Sequence, residues 1–261
     1  MCLNGISTLK ILVLESYNLV IIPTYNEIEN IEKIIRTVFG LEMPFHILIV
    51  DDGSPDGTAD AVKKLQLEYS ENLHLLQRSG KQGLGTAYIA GFKWALESNY
   101  QYIFEMDADF SHNPTDLSRL RIACEADRVG VSIGSRYVRG GKLVDWPWNR
   151  VLMSRGASFY VRLITWMPVS DSTAGFVCYS RKFLETLDFD KIKFIGYAFQ
   201  IEMKFTAWKL GFKVTEVPIT FIDRKLGASK MSKGIIKEGI LGVLQLKMMS
   251  MKRGYLKNVS N

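Results

Sequence analysis

Short, wholly apolar runs alternating with amphipathic stretches constrain this chain more than any other feature. Asn18-Leu-Val-Ile-Ile-Pro23 is a nearly uniform apolar run stopped by Pro23, the pattern of a strand covered on both faces. From Asn26 to Phe39 the residues Ile28, Ile31, Ile34, Ile35 and Val38 recur at helical spacing and predict a helix. His46 to Val50 repeats the buried-strand signal, and the dense turn chemistry of Asp51-Asp-Gly-Ser-Pro-Asp-Gly57 ends it. Thr58 to Tyr69 then reads as helix, Leu73 to Gln77 as strand, Gly85 to Ser98 as helix and Tyr102 to Met106 as strand. Alternation of this kind requires crossover connections and a mainly parallel sheet flanked by helices, a Rossmann-like α/β fold.

Beyond about residue 115 the pattern loosens. Helices are expected at Pro114 to Asp127, Arg150 to Trp166 and Ala198 to Leu210. The first of these leads to Val131-Ser-Ile-Gly-Ser-Arg-Tyr137 and a Gly- and Trp-rich loop through Asn149, and Phe176 to Ser180 and Lys213 to Val217 read as strands. No repeat or linker divides the 261 residues. The expected organisation is an extension over 1–18, one domain over 19–232 and a basic amphipathic segment over 233–261.

Composition removes several classes. With 47% apolar and 23% charged residues the chain is neither disordered nor collagen-like. Three cysteines without a CxxC pair argue against a disulfide scaffold or a zinc ribbon and fit a reducing compartment. The net charge of +6 is concentrated: Phe221 to Lys257 carries nine Lys or Arg against Asp223 and Glu238, pointing to an anionic partner. No run approaches the roughly 20 apolar residues that span a bilayer, and Ile11 to Leu14 is too short for a signal peptide's apolar region. The expected location is cytoplasmic.

In open parallel sheets ligands bind outside the carboxyl ends of the strands. Three such ends carry polar residues here: Thr24-Tyr-Asn-Glu27, Asp51-Asp52 and Asp107-Ala-Asp109. They should meet in one crevice. Two carboxylates one residue apart at a strand end suit Mg²⁺ or Mn²⁺, hard cations that bridge to phosphates; an exposed turn is the plainer reading of Asp-x-Asp alone.

Read together, Ile-Ile-Pro-Thr-Tyr-Asn-Glu27, Val50-Asp-Asp-Gly-Ser-Pro-Asp-Gly-Thr58 and Met106-Asp-Ala-Asp-Phe-Ser-His-Asn-Pro114 resemble the inverting family 2 glycosyltransferases of the GT-A fold. Within that family the chain resembles the polyprenyl-phosphate (dolichol-phosphate) mannose synthases. The likeness continues through Ile133-Gly-Ser-Arg-Tyr137, Gly140-Gly141, Trp146-Pro147, Asn149-Arg150 and Asp171-Ser-Thr-Ala-Gly-Phe176, and ends at Phe221 to Met231.

The resemblance implies transfer of mannose from GDP-mannose to a polyprenyl phosphate with inversion. Pro23, Tyr25 and Glu27 would frame the donor nucleotide, with Val50 and Asp52 at its base and ribose. Asp107 and Asp109 would bind the metal and donor diphosphate, with Ala108 contributing backbone. Ser111 stands where some relatives place a Gln ligand. Arg136, Arg150, Arg224 and Lys230 match residues that contact donor or acceptor phosphates. A lipid monophosphate is already anionic, so no general base is expected.

A family 2 enzyme using UDP-glucose or UDP-GlcNAc is the nearest alternative. Gly80-Lys-Gln-Gly-Leu-Gly85 follows the third strand and lacks GxGxxG spacing, which argues against a nicotinamide enzyme. A nucleic-acid partner is not expected, because the basic tail lacks interleaved aromatics. The apolar positions of Gly234 to Met251 fit either packing on the domain or lying on an anionic membrane. Lipid access would come from peripheral contact or from an anchoring partner.

Overall fold

A computed structural model describes residues 18–126, 129–223 and 241–248. Seven strands form one sheet in the order β3-β2-β1-β4-β7-β5-β8: β1 (Asn18–Thr24), β2 (His46–Asp51), β3 (Leu73–Gln77), β4 (Tyr102–Glu105), β5 (Val129–Ser135), β7 (Val177–Ser180) and β8 (Lys213–Pro218). Among them β7 runs antiparallel to both β4 and β5, and the remaining pairings are parallel. The short strands β6 (Lys142–Val144) and β9 (Thr220–Ile222) pair with each other in parallel as a second sheet.

The uniform apolar runs behave as expected of central strands. Side chains alternate faces along a strand, so Leu19 and Ile21 of β1 join Leu48 and Val50 of β2 in one core. Val20, Ile22, Ile47 and Ile49 enter a second core on the opposite face. The second face is covered by α1 (Ile31–Phe39), α2 (Thr58–Gln66) and α4 (Asp116–Glu125). The first is covered by α3 (Leu84–Leu96), α6 (Arg181–Thr186) and α7 (Tyr197–Lys209), with Val161 of α5 (Trp148–Thr165) at its margin.

The expected elements are present with shifted ends. The first helix starts at Ile31 rather than Asn26, because Asn26 has φ of 60° and 27–30 form a turn. Ile28 is therefore exposed and outside the helical stripe. The last helix, α8, covers residues 241–248. Its Val243 and Leu246 are buried in the first core while Leu241, Leu244 and Met248 are exposed. Gly242 lets it approach Phe194 and Ala198, where an added Cβ would lie 3.0 Å from the Phe194 ring. Packing on the domain thus holds for the Val243 and Leu246 side of α8, and its other side is exposed.

Candidate active site

Parallel pairing puts the polar strand ends side by side. Thr24 is in register with Asp51, and the Asp52 N–H donates to the Thr24 carbonyl at 3.0 Å. The Met106 N–H donates to Ile21 O, which brings the Asp107-Ala108-Asp109 turn beside the end of β1. The three expected strand ends therefore do share one edge of the sheet.

Asp51 is fully buried and holds the crevice wall. It accepts from the Thr24 hydroxyl at 2.9 Å, the Ser54 hydroxyl at 2.6 Å and the Ser54 N–H at 3.0 Å. Across from it, the Glu27 N–H donates to Thr58 Oγ1 and the Asn26 N–H to Ser54 Oγ. Asp56 accepts from the Ile28 and Thr58 N–H groups and the Thr58 hydroxyl. Partial burial alone would raise the Asp56 pKa, but those hydrogen bonds outweigh it and hold the carboxyl below its ordinary value. This bonding seats Pro23, Tyr25 and Glu27 against the 51–58 loop. Lys81 lies 5.3 Å from the Tyr25 ring centroid, and Val50 is sealed in the core.

Asp52 is paired with a residue that the motif reading passed over. Arg78, just past the end of β3, donates from Nε to Asp52 Oδ1 at 2.6 Å and from Nη1 to Thr86 Oγ1 at 2.9 Å. Its position immediately after a strand's carboxyl end is the signal that could have marked it.

Asp107 presents a side chain 42% exposed, and Ala108 is buried. Asp109 Oδ1 accepts the Ser111 N–H at 3.0 Å across Phe110, whose φ is 59°. Ser111 is buried, and its carbonyl accepts the Ile222 N–H from β9. Among the described residues no three His, Cys, Asp or Glu side chains form a metal centre by themselves. Two carboxylates at a ligand-accessible turn instead suit a cation whose remaining ligands are phosphate oxygens and water.

The antiparallel β7 completes the wall. Its first residue, Val177, pairs with Glu105 at the end of β4, so the preceding 171–176 loop arrives at the acidic turn. Arg136, just past β5, donates its N–H and Nε to Asp171 Oδ2 at 2.9 and 2.7 Å, and Nη2 to Asp171 Oδ1 at 2.6 Å. Asp171 is fully buried, and its own N–H donates to Glu216. Arg150, at the start of α5, donates to both Asp223 oxygens and lies 4.0 Å from the Trp146 ring centroid. Arg136 and Arg150 thus flank Trp146, with Arg136 5.6 Å from its ring centroid. Arg224 and Lys230 lie outside the described residues.

The buried polar atoms without a hydrogen-bond partner at this wall include His112 Nδ1, Trp146 Nε1 and Ser172 Oγ. His112 stacks on Phe176 with centroids 4.9 Å apart and meets Phe221 edge-on at 5.2 Å. Burial pushes its pKa down to about 4, Asp109 opposing and Arg136 reinforcing that shift, so the ring is neutral at neutral pH. Behind β4, Glu105 is fully buried and accepts from Gln200 Nε2 at 2.7 Å. Lys204 donates to Ala174 O, Gln200 O and Gln200 Oε1.

Comparison with known structures shows the fold. A mannosyltransferase from Pyrobaculum calidifontis in complex with GDP-mannose and Mn²⁺ superposes with a TM-score of 0.56 at 16% identity, covering 90% of this chain and 74% of that one. Glucosyl-3-phosphoglycerate synthase from Mycobacterium tuberculosis, in complex with Mn²⁺, UDP and phosphoglyceric acid, gives 0.67 at 17% identity over 93% and 82%. The architecture is that of the GT-A glycosyltransferases. The profile of glycosyl transferase family 2 matches residues 19–188, and the chain belongs to that family. It is 46% identical to polyprenol monophosphomannose synthase of Mycolicibacterium smegmatis over 87% of this chain and 85% of the relative. It is also 46% identical to undecaprenyl-phosphate mannosyltransferase of Micrococcus luteus over 86% and 91%.

Proposed function

We propose that this protein transfers mannose from GDP-mannose to a polyprenyl phosphate at the cytoplasmic face of a membrane, giving the β-linked lipid phosphate sugar. The observation that carries this reading is the acidic Asp107-Ala-Asp109 turn beside the Thr24–Glu27 and Asp51–Asp52 strand ends. The likeness, over 87% and 86% of the chain, to two relatives named for polyprenyl substrates and mannose supports the donor and acceptor.

In this reading Pro23, Tyr25, Glu27 and the Val50–Asp52 strand end frame the nucleotide. Asp107 and Asp109, with Ser111 beside them, would hold Mg²⁺ or Mn²⁺, which would supply positive charge against the leaving diphosphate. An oxygen of the acceptor phosphate attacks the mannose anomeric carbon from the face opposite the diphosphate. The new carbon–oxygen bond forms as the bond to GDP breaks, which inverts an α-linked donor to a β-linked product. The acceptor phosphate is ionised beforehand, so this chain has to align it rather than deprotonate it. Arg136, Arg150, Arg224 and Lys230 would bring the two anions together.

The acceptor's lipid tail requires a membrane face, and α5 offers one. Trp148, Leu152, Phe159, Leu163 and Trp166 are all exposed, Trp148 at 78% and Phe159 at 68%. Helical spacing places the first four on one side of α5, whose C-terminus Trp166 caps, with Arg155 and Arg162 exposed alongside. Lys247 of α8 lies 4.5 Å from the Trp166 ring centroid, so the exposed Leu244 and Met248 extend the same surface. An apolar stripe edged with cations suits an anionic lipid interface. No described helix is long and apolar enough to cross a membrane, which leaves peripheral contact or an anchoring partner as the route to lipid.

The test is incubation of the purified chain with radiolabelled GDP-mannose, a polyprenyl phosphate and Mg²⁺ or Mn²⁺, with counting of label in the lipid phase. Label that enters lipid and is lost with EDTA is the expected result. UDP-glucose or UDP-GlcNAc serving in place of GDP-mannose would replace the donor, and silence with all donors would overturn the reading.

A further inference from the structure

His112 is a buried polar side chain that the reaction just described does not use. It is 3% exposed and its Nδ1 has no hydrogen-bond partner. A buried donor left unsatisfied costs about 1–3 kcal/mol, so a position that keeps one has a use for it in another state. The charged groups that bear on the ring come from several elements: Asp109 beyond β4, Arg136 beyond β5 and Asp171 before β7. Asp107 Oδ2 lies 3.9 Å from Nδ1. Phe176 on one face and Phe221 at the edge leave the ring little freedom to turn elsewhere.

We propose that His112 is the positioning residue for Asp107, its ring donating Nδ1–H to the Asp107 carboxylate when a divalent cation occupies the acidic turn. This rests on the reading of Asp107 and Asp109 as the cation's holders. A carboxylate that ligates a metal is held in turn by a second hydrogen bond, and loss of that partner weakens metal binding by about 10–100-fold. A single donor aimed at one Asp107 oxygen fixes the orientation in which the carboxylate meets the cation.

The probe is Mn²⁺ titrated into the full chain in the presence of GDP, with free Mn²⁺ read from its electron paramagnetic resonance signal. His112→Phe keeps an aromatic ring against Phe176 and removes the donor; its Mn²⁺ affinity should fall about 10–100-fold. His112→Asn places an amide N–H near the position of Nδ1 and should restore affinity to within a few-fold of wild type. Thermal unfolding of each variant separates loss of the site from loss of the fold. Wild-type affinity in His112→Phe would overturn the proposal. So would a ¹⁴N coupling from the ring in the spin-echo spectrum of bound Mn²⁺, because that would make His112 a ligand. Absence of Mn²⁺ binding by the wild-type chain with GDP or UDP would instead overturn the metal reading and the proposal with it.

Discussion

Phe110 has φ of 59°, a left-handed backbone that costs a bulky residue roughly 1–2 kcal/mol. The turn it makes lets the Ser111 N–H close on Asp109 Oδ1, so strain is stored where the two carboxylates must face one way. Asp109→Ala removes one carboxylate without touching a core residue. It should lower mannose transfer by at least about a hundredfold, the effect of losing several kcal/mol of charge stabilisation, while the thermal unfolding midpoint stays within a few degrees. Turnover near wild type would remove Asp109 from the site. Asp171 is the contrasting residue, fully buried and bidentate with Arg136. Asp171→Asn leaves the guanidinium without its counter-charge and should cost about 3 kcal/mol in urea unfolding. Motif spacing exposes Asp107 and Asp109, because a polar pair interrupting an apolar strand is conspicuous in one dimension. Arg78 and Asp171 matter through partners far along the chain, Asp52 and Arg136, and a place after a strand end or within a motif does not by itself give those pairings.

Helix α7 illustrates the next scale. Its Gln200 and Lys204 stand four residues apart, on one side of the helix, and reach Glu105 of β4 and the carbonyl of Ala174. The helix thereby ties the strand that carries the acidic turn to the loop that carries Asp171. Burial pushes the Lys204 pKa down to about 8, Glu105 and Asp171 opposing the shift, Arg136 reinforcing it, and Glu216 opposing. The unfolded chain keeps that proton up to about pH 10.5. Between pH 8 and 10.5 the unfolded state therefore binds more protons, and Lys204 contributes stability that rises with pH. Lys204→Met abolishes that contribution. The difference in urea unfolding free energy, wild type minus variant, should climb by up to about 1.4 kcal/mol per pH unit across this window. A flat difference would show that Lys204 stays protonated in the fold.

Over the whole molecule, the proposed reaction asks the crevice and the α5 stripe to act together, since a polyprenyl phosphate has a phosphate at one end and a lipid at the other. Replacing Leu152, Phe159 and Leu163 by Ser removes exposed apolar area from this stripe and leaves the site residues intact. The triple variant should sediment at least several-fold less with vesicles containing anionic lipid, yet keep Mn²⁺ and GDP binding. Unchanged sedimentation would locate the membrane face elsewhere. The sequence by itself determined the layered α/β architecture, because unbroken apolar runs can be buried only in a sheet covered on both sides, and that alone brings Thr24, Asp51 and Asp107 to one edge. Tertiary structure decided the rest. Strand direction is not encoded in apolar patterning, so β7 reads as any other strand; running backwards between β4 and β5, it delivers Asp171, Phe176 and the wall that holds Arg136 and His112. The small β6–β9 sheet depends likewise on a pairing across about 75 residues, and its closure sets Phe221 and Asp223 against His112 and Arg150.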